Sequence, residues 1–292
     1  MRPGMTEDQL RERFYQFGGV PRHVFADTES KIEDQLEAQD RAVAALTPDQ
    51  ARTIAIRQMD AFDAFGAQSK SALLAFRLSG EDKGAFSEQE SYIVSDLVFE
   101  KLYARFRSDL WTFMISRGPN DGGGIIFETI TRHLMANGKL TTLQARSCVG
   151  KGEHPYHELF YLTLGTGHKD IRQVVDPIDA GKQLANVVFH PISPIHELFD
   201  FLYQDSSGHF HVFQATIGKS HTANATKIRE LEVKLGSPWS LSFYYLVPSS
   251  MFSSFVTTPT DPRRATEKVK MPPSCNIYHV SIPNPADEQR SD

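Results

Sequence analysis

The chain has 292 residues, of which 40% are apolar and 23% charged, so we expect a globular protein with two packed units. Its net charge of -5 at pH 7 excludes a uniformly basic nucleic-acid binder, and any contact with phosphate requires a local basic patch. Cys148 and Cys275 are too few for a disulfide framework or a four-cysteine zinc site. There is no apolar run of about 18 residues and no signal-peptide core near Met1, so we expect an intracellular protein without membrane contact.

The first predicted element is a helix in TEDQLRERFYQF, residues 6–17. Thr6 occupies the N-cap position, and acidic residues fill the first turn. Apolar side chains recur at helical spacing until Gly18 and Gly19 end the helix.

Residues 30–60 are rich in charge and alanine, and they predict one or two surface helices broken near Thr47 and Pro48. A further helix is predicted from Ser87 to about Phe106, because Ser87 and Glu90 have the spacing of a capping box. None of these segments has a pattern typical of catalysis.

The segment RGPNDGGG, residues 117–124, is the strongest loop signal in the chain, because it is dense in Gly, Pro, Asn and Asp. We therefore place a domain boundary there, between a helical region of residues 5–117 and an α/β domain of residues 118–284. The polar tail, residues 285–292, is expected to be disordered.

After the boundary the pattern changes to a mixture of helices and strands. Helices are predicted in IIFETITRHLMANG, residues 125–138, and in TANATKIRELEVKLG, residues 222–236. The predicted strands are ELFYLTL, IRQVV, NVVFH, ELFDFLY, HFHVFQATI, LSFYYLV and NIYHVSI. This order of elements predicts an α/β (α+β) fold that follows an N-terminal helical region.

The strand predicted at residues 209–217 carries Gln214 and Thr216 in an apolar run, and strand alternation directs both to one face. The turn DSSG joins it to an earlier strand with Asp200, so residues 198–217 predict a β-hairpin. A carboxylate in an apolar strand needs a reason. Asp200 is either hydrogen-bonded structurally, accessible at the strand end, or a metal ligand.

An Asp strand, a hairpin, a polar-x-polar strand and a following helix form the layout of the restriction-endonuclease-like core, whose usual pattern is Asp followed by Asp/Glu-x-Lys. Here Asp200 supplies the first oxygen ligand for Mg²⁺, and the side-chain oxygen of Gln214 supplies the second. Thr216 stands where lysine is expected and has no charge to polarise water. Lys219 and Lys227 are candidates for the missing cation, unless they only cap a turn and lie on a solvated helix face.

Glu128 is a further candidate, because a carboxylate of the first helix can point at the metal in such a core. An acidic residue near a helix start also favours the positive end of the helix dipole, so both interpretations stay open. We include Glu128 in the predicted site as a group that assists at the metal.

Five segments resemble, in the same order, motifs of Crinkler effectors and the related retrotransposon hot spot proteins: FYQFGGVPRHVF, IVSDLVFEKL, FETITRHLMANG, FDFLY and VFQATIGKSH. The resemblance implies a P-loop ATPase followed by a restriction-endonuclease-like domain, in secreted effectors that act in a host nucleus. The sequence has no G-x-x-x-x-G-K-[ST] loop. The resemblance therefore implies a C-terminal piece or a variant without the ATPase, in which residues 5–117 are a lid-like remnant and connector.

The resemblance marks Glu128, Asp200, Gln214 and Thr216 as the site, flanked by Lys219 and His221. We therefore expect a DNA endonuclease that depends on Mg²⁺ or Mn²⁺ held by Asp200 and Gln214, with Lys219 orienting the water or stabilising phosphate charge. The residues expected to contact DNA are Lys219, His221, Lys227 and Arg229.

Other interpretations stay open. Replacement of the acidic ligand and of the lysine is also what a degenerate nuclease would show, acting as a module that binds DNA or a host protein. The helical region could instead be the functional surface, or the partner could be an ATPase module outside this chain.

Two features outside the hairpin suggest other binding sites. The pairs His154/His157 and His209/His211 could each supply two nitrogens to zinc, although core and surface histidines have the same spacing. Arg146 is a candidate for a basic rim that contacts nucleic acid.

Overall fold

The computed structural model divides the chain into two compact units, Met1–Ser116 and Arg117–Asp292. This division falls within one residue of the boundary predicted at the glycine-rich loop. The predicted tail lies outside the described residues. The structure describes residues 5–18, 20–26, 28–55, 72–79, 88–93, 95–118, 122–140, 143–147, 159–162, 170–174, 187–191, 198–235, 241–260 and 275–284.

The first unit consists largely of helices in its described part. They are α1 (Glu7–Phe17), α2 (Pro21–Val24), α3 (Glu29–Ala44), α4 (Pro48–Ala55) and α5 (Asp96–Ser116). Thr6 caps α1 as predicted, since its Oγ1 accepts a hydrogen bond from the Gln9 N–H at 3.2 Å. Phe17, Val24 and Ile32 are buried together where α1, α2 and α3 meet.

The helix predicted from Ser87 to Phe106 is wrong in its first part. Residues Glu88–Ile93 form strand β2, which pairs antiparallel with β1, Leu74–Ser79. Helix α5 begins only after Ser95, whose Oγ accepts a hydrogen bond from the Val98 N–H at 3.3 Å. Pairing with β1, the strand that precedes it in the chain, has overridden the local capping-box pattern.

The second unit combines helices with a large sheet. Its described helices are α6 (Gly124–Ala136), α7 (Ala225–Leu235) and α8 (Ser249–Phe252). Its described strands are β3 (Leu143–Ser147), β4 (Leu159–Leu162), β5 (Asp170–Val174), β6 (Val187–Pro191), β7 (Phe201–Gln204), β8 (Phe210–Ala215), β9 (Ser220–Asn224), β10 (Leu241–Pro248), β11 (Val256–Thr260) and β12 (Cys275–Ile282). Eight of them form a mixed sheet in the order β4-β3-β12-β10-β8-β7-β6-β5, while β9 and β11 form a separate parallel pair. The predicted α/β fold class is confirmed.

The predicted hairpin of residues 198–217 is confirmed, because β7 pairs antiparallel with β8, with Phe201 opposite Phe213. Gly208 in the turn has a φ of 86°, which glycine adopts without strain. Strand β8 pairs parallel with β10, and β10 pairs parallel with β12. The carboxyl ends of these three strands therefore lie at one edge of the sheet, where β7 begins.

The two faces of β8 pack against different groups. Val212 belongs to an apolar cluster that includes Ile228 of α7. Phe213, the next residue, stacks between Phe201 and Tyr244, with ring centroids 5.0 Å away on both sides. Because a slip of one residue would exchange these two environments, the packing fixes the register of the hairpin.

The sequence pattern does not predict β3, β9 or β11. Apolar spacing predicts a helix from Thr222, but residues up to Asn224 belong to β9. Helix α7 starts at Ala225, and Asn224 Oδ1 caps it by accepting a hydrogen bond from the Lys227 N–H at 3.1 Å. Strand β9 forms because it pairs with β11, and local periodicity contains no information about that distant partner.

Val212→Ala should lower the free energy of unfolding by about 2–3 kcal/mol, because it removes two buried methyl groups and leaves a cavity. Val233→Ala removes the same atoms from a side chain that is 80% exposed, where Val212 is fully buried. It should change the free energy by less than about 0.5 kcal/mol. Urea unfolding followed by circular dichroism measures both, and equal effects would contradict the core position of Val212.

Candidate functional site

Asp200 lies at the edge of the sheet where β7 begins and β8 ends. Its N–H donates to the carbonyl oxygen of Phe213 at 2.9 Å and continues the hairpin ladder. Its Oδ2 accepts a hydrogen bond from the Ala215 N–H at 2.6 Å, so a side-chain carboxylate takes the place that a backbone carbonyl has in a regular ladder. This bond fixes the orientation of the carboxylate at the end of the strand.

Two charged side chains of α6 act on Asp200. Burial raises the pKa of the Asp200 carboxyl well above its usual range, and the negative charge of Glu128 raises it further. The hydrogen bond from the Ala215 N–H and the positive charge of Arg132 lower the pKa only in part. Arg132 Nη1 lies 3.5 Å from Glu128 Oε1, one helical turn away.

The structure therefore brings two carboxylates and one guanidinium together at this edge. The sequence-based prediction includes Glu128 and Asp200 but not Arg132. The available signal was the i,i+4 spacing of Glu128 and Arg132, which sequence alone cannot distinguish from an ordinary surface ion pair.

The polar pair of β8 has a different environment. Gln214 lies between Phe213, whose carbonyl oxygen accepts a hydrogen bond from the Asp200 N–H, and Ala215, whose N–H donates to Asp200 Oδ2. Across the other neighbouring strand, Gln214 pairs with Tyr245. No hydrogen bond joins the side chains of Gln214 and Asp200 in the part of the chain that the structure describes, so Gln214 as second metal ligand stays a prediction.

Thr216 follows the end of β8 and is 9% exposed. Its N–H donates to the Leu246 carbonyl at 2.9 Å, and its Oγ1 accepts a hydrogen bond from the Gly218 N–H at 3.1 Å. The hydroxyl thus stabilises the turn that leaves the strand, and a function of Thr216 toward water or phosphate stays a prediction.

The residues predicted to contact DNA lie on the turn after β8, on β9 and on α7. Lys219 and Arg229 are exposed, while Lys227 is half-buried. The His221 ring packs against Tyr245 with centroids 5.1 Å apart. Burial lowers the pKa of His221, so at pH 7 this ring is neutral and offers no positive charge to phosphate.

His209 and His211, a possible zinc pair, have other partners. His211 Nε2 lies 3.1 Å from Asp205 Oδ2, and its Nδ1 lies 3.0 Å from the Tyr244 hydroxyl. His209 Nε2 lies 2.9 Å from Ser242 Oγ. These bonds form a polar layer at the opposite edge of the sheet from Asp200, so the pair has a structural explanation.

The described residues contain no group of three or more His, Cys, Asp or Glu side chains that could hold a metal ion. His154 and His157 lie outside the described residues.

Arg146 is buried, so its expected place in a basic rim is wrong. Its Nη2 donates to the Phe255 carbonyl at 2.8 Å, its Nη1 donates to the Ser253 carbonyl at 3.3 Å, and its Nε donates to His279 Nδ1 at 3.3 Å. His279 Nε2 in turn lies 2.7 Å from Thr257 Oγ1. The guanidinium therefore connects the residues just before β11 with His279 of β12, and it is not available to bind phosphate.

No family model, curated protein or solved structure matches this chain. The resemblance to Crinkler effectors therefore stays a prediction from the five motifs. None of the described helices is long and apolar enough to cross a membrane.

Asp200→Asn should raise the melting temperature at about pH 8, since a carboxyl with a raised folded-state pKa destabilises the fold when ionised. Asparagine keeps an acceptor for the Ala215 N–H and removes the charge beside Glu128. As the pH falls through the folded-state pKa toward about 4, the wild-type carboxyl becomes protonated and the advantage should shrink. Thermal melting across this range checks the sign, and a lower melting temperature of the variant at every pH would contradict it.

Asp205→Asn is the control with the opposite sign. Burial raises the pKa of Asp205, but hydrogen bonds from Ser207 and His211 outweigh burial and lower it to about 2. The ionised carboxylate therefore stabilises the fold above the unfolded-state pKa, and this stability is lost as the pH falls toward about 2. The variant should melt below the wild type at neutral pH, with a difference that fades in acid.

Proposed function

We propose that the second unit, Arg117–Asp292, is a divalent-metal-dependent nuclease. The observation that carries the proposal is the partly buried Asp200, which is held at the end of a hairpin with a second carboxylate, Glu128, close enough to raise its pKa. Strongly perturbed carboxyl pairs cluster at functional sites, because each charge makes ionisation of the other unfavourable.

The donor set fits a hard divalent cation. Carboxylate oxygens are the ligands that Mg²⁺ and Mn²⁺ prefer, and a bound cation would remove the repulsion between Asp200 and Glu128. When bound, such an ion activates water and neutralises charge on a phosphodiester. Gln214, which lies between the two residues whose backbone groups hydrogen-bond to Asp200, is the proposed neutral ligand.

Backbone groups and a helix of this chain hold the two carboxylates of the proposed site in place. The Ala215 N–H holds one oxygen of Asp200, and the helix holds Glu128 at a fixed position relative to the sheet. Thr216 accepts a hydrogen bond from Gly218, and its own hydroxyl hydrogen is proposed to bind water or phosphate. Preorganised donors and acceptors of this kind need no rearrangement when the substrate binds.

The proposed substrate is DNA. Lys219, Lys227 and Arg229 follow β8 on the turn and on α7, and they offer positive charge near the proposed site despite the negative net charge of the chain. The resemblance to Crinkler effectors supports the same substrate, together with action in a host nucleus and an ATPase module as partner.

A second candidate function is a binding module for DNA or a host protein with no catalysis. Two observations favour it: Oδ2 of Asp200 is used in the strand ladder, and the Thr216 hydroxyl is used in a turn. Both side chains then have structural functions, and the replacement of the motif lysine by Thr216 has no catalytic consequence.

Nicking of a supercoiled plasmid in Mg²⁺ or Mn²⁺ tests the proposal. Asp200→Asn and Glu128→Gln should each lower the rate by about 10²-fold or more, because each removes charge from the donor set. A chelator should abolish cleavage. Glu37→Gln is the matched control, since Glu37 forms an exposed i,i+4 pair with Arg41 on α3 of the first unit.

Metal binding has a separate measurement. Mn²⁺ should raise the melting temperature of the wild type and not of Asp200→Asn, because a ligand stabilises the form that binds it. Cleavage that survives in the chelator or in Asp200→Asn would refute the nuclease assignment. DNA retention that is equal in both proteins, without cleavage or metal-induced stabilisation, would establish the binding module.

A further inference from the structure

We infer that Arg132 is the cation of this site: its guanidinium binds a phosphate of the nucleic-acid backbone in place of the lysine that Thr216 replaces. The inference rests on the proposed nuclease function and deepens it. The Gln-x-Thr pattern lacks a positive charge, and under this inference α6 supplies that charge.

The geometry of Arg132 suits this assignment. Arg132 follows Glu128 by one turn of α6, and its Nη1 lies 3.5 Å from Glu128 Oε1. The side chains are 17% and 29% exposed, so both are partly shielded and both are still reached by solvent. The 3.5 Å distance exceeds that of a good N–H···O bond, so the ion pair does not lock the guanidinium.

Helix α6, which carries Arg132, packs against β8, and the positive charge of Arg132 lowers the pKa of the Asp200 carboxyl at the end of that strand. Arginine is charged at every pH of interest, and its planar fork of donors matches two oxygens of one phosphate. The guanidinium can therefore serve the phosphate beside the same carboxylates that would hold the cation.

The alternatives in the sequence suit the position less well. Lys219 is exposed in the turn after Thr216, where solvent surrounds its ammonium group. Arg146 is buried with its donors directed at backbone carbonyls and His279. Arg132, in contrast, forms an ion pair with Glu128, a carboxylate of the proposed site.

Sharing of Glu128 couples the two ligands. Without metal, the Glu128 carboxylate is the ion-pair partner of Arg132. A divalent cation that binds Glu128 weakens the ion pair between Glu128 and Arg132. More of the guanidinium N–H groups are then available to donate to a phosphate. Metal binding should therefore increase the affinity for DNA, and this increase should depend on Arg132.

The experiment compares wild type, Arg132→Ala, Arg132→Lys and Lys219→Ala in plasmid nicking. DNA affinity is measured in parallel by fluorescence anisotropy of a labelled duplex in Ca²⁺ over a series of salt concentrations. Arg41→Ala is the matched control, because Arg41 pairs with Glu37 at the same i,i+4 spacing, with side chains 69% and 65% exposed. Melting temperatures identify any variant that fails to fold, and Arg132→Gln then replaces Arg132→Ala.

Arg132→Ala should lower the nicking rate by about 10²-fold or more, and Arg132→Lys should restore part of it because lysine keeps the charge without the fork. The slope of log affinity against log salt should fall by about one in Arg132→Ala, the sign of one lost phosphate contact. Arg132→Ala should also lose most of the affinity gained from Ca²⁺, while Arg41→Ala should match the wild type in all three measurements.

Two results would overturn the inference in different ways. If Arg132→Ala nicks DNA with the wild-type rate and salt slope while Lys219→Ala does not, the cation is Lys219 and the nuclease proposal stands. If the wild type itself neither nicks DNA nor gains affinity from Ca²⁺, the nuclease proposal and the inference fail together.

Discussion

The hydrogen bond from the Ala215 N–H to the Asp200 carboxylate is the constraint on which the site depends. It completes the hairpin ladder with a side-chain oxygen, and so it keeps a charged group at the end of two apolar strands. In the same position, the negative charge of Glu128 raises the pKa of this carboxyl. The repulsion lowers the stability of the fold, and the surrounding packing must offset it. A backbone requirement and an electrostatic conflict therefore meet in one residue.

The packing around the hairpin maintains this arrangement. Phe213 lies between two aromatic rings on one face, and Val212 faces the α7 cluster on the other, so β8 cannot slip relative to its neighbours. With the register fixed, Gln214 stays between the two residues that hydrogen-bond to Asp200, and the chain turns away at Thr216. Rigid strands thus determine which polar groups meet at the edge of the sheet, and α6 adds the remaining charges.

Sequence patterns predict the parts of this fold that depend on neighbouring residues. Thr6 as a cap and the DSSG turn follow from local chemistry and are confirmed. Strand β2 forms by pairing with β1, and Arg146 is buried by residues more than a hundred positions away, so local patterns gave a helix and a surface position instead. At the site, Asp200 was predictable as a polar residue in an apolar run. Arg132 was not, because only the packing of α6 against the sheet brings it to the site.

The order of strands has a consequence for how the second unit folds. Strands β3 and β4 precede most of the sheet in the chain, yet they join it only through β12, the last described strand. Strand β3 cannot pair with β12 during synthesis until residue 282 has left the ribosome. The contacts between these two strands span more than a hundred residues. Strands β3 and β4 can pair with each other early, but the other side of β3 keeps unpaired backbone groups until β12 is made. The β7–β8 hairpin has no such wait for its own pairing.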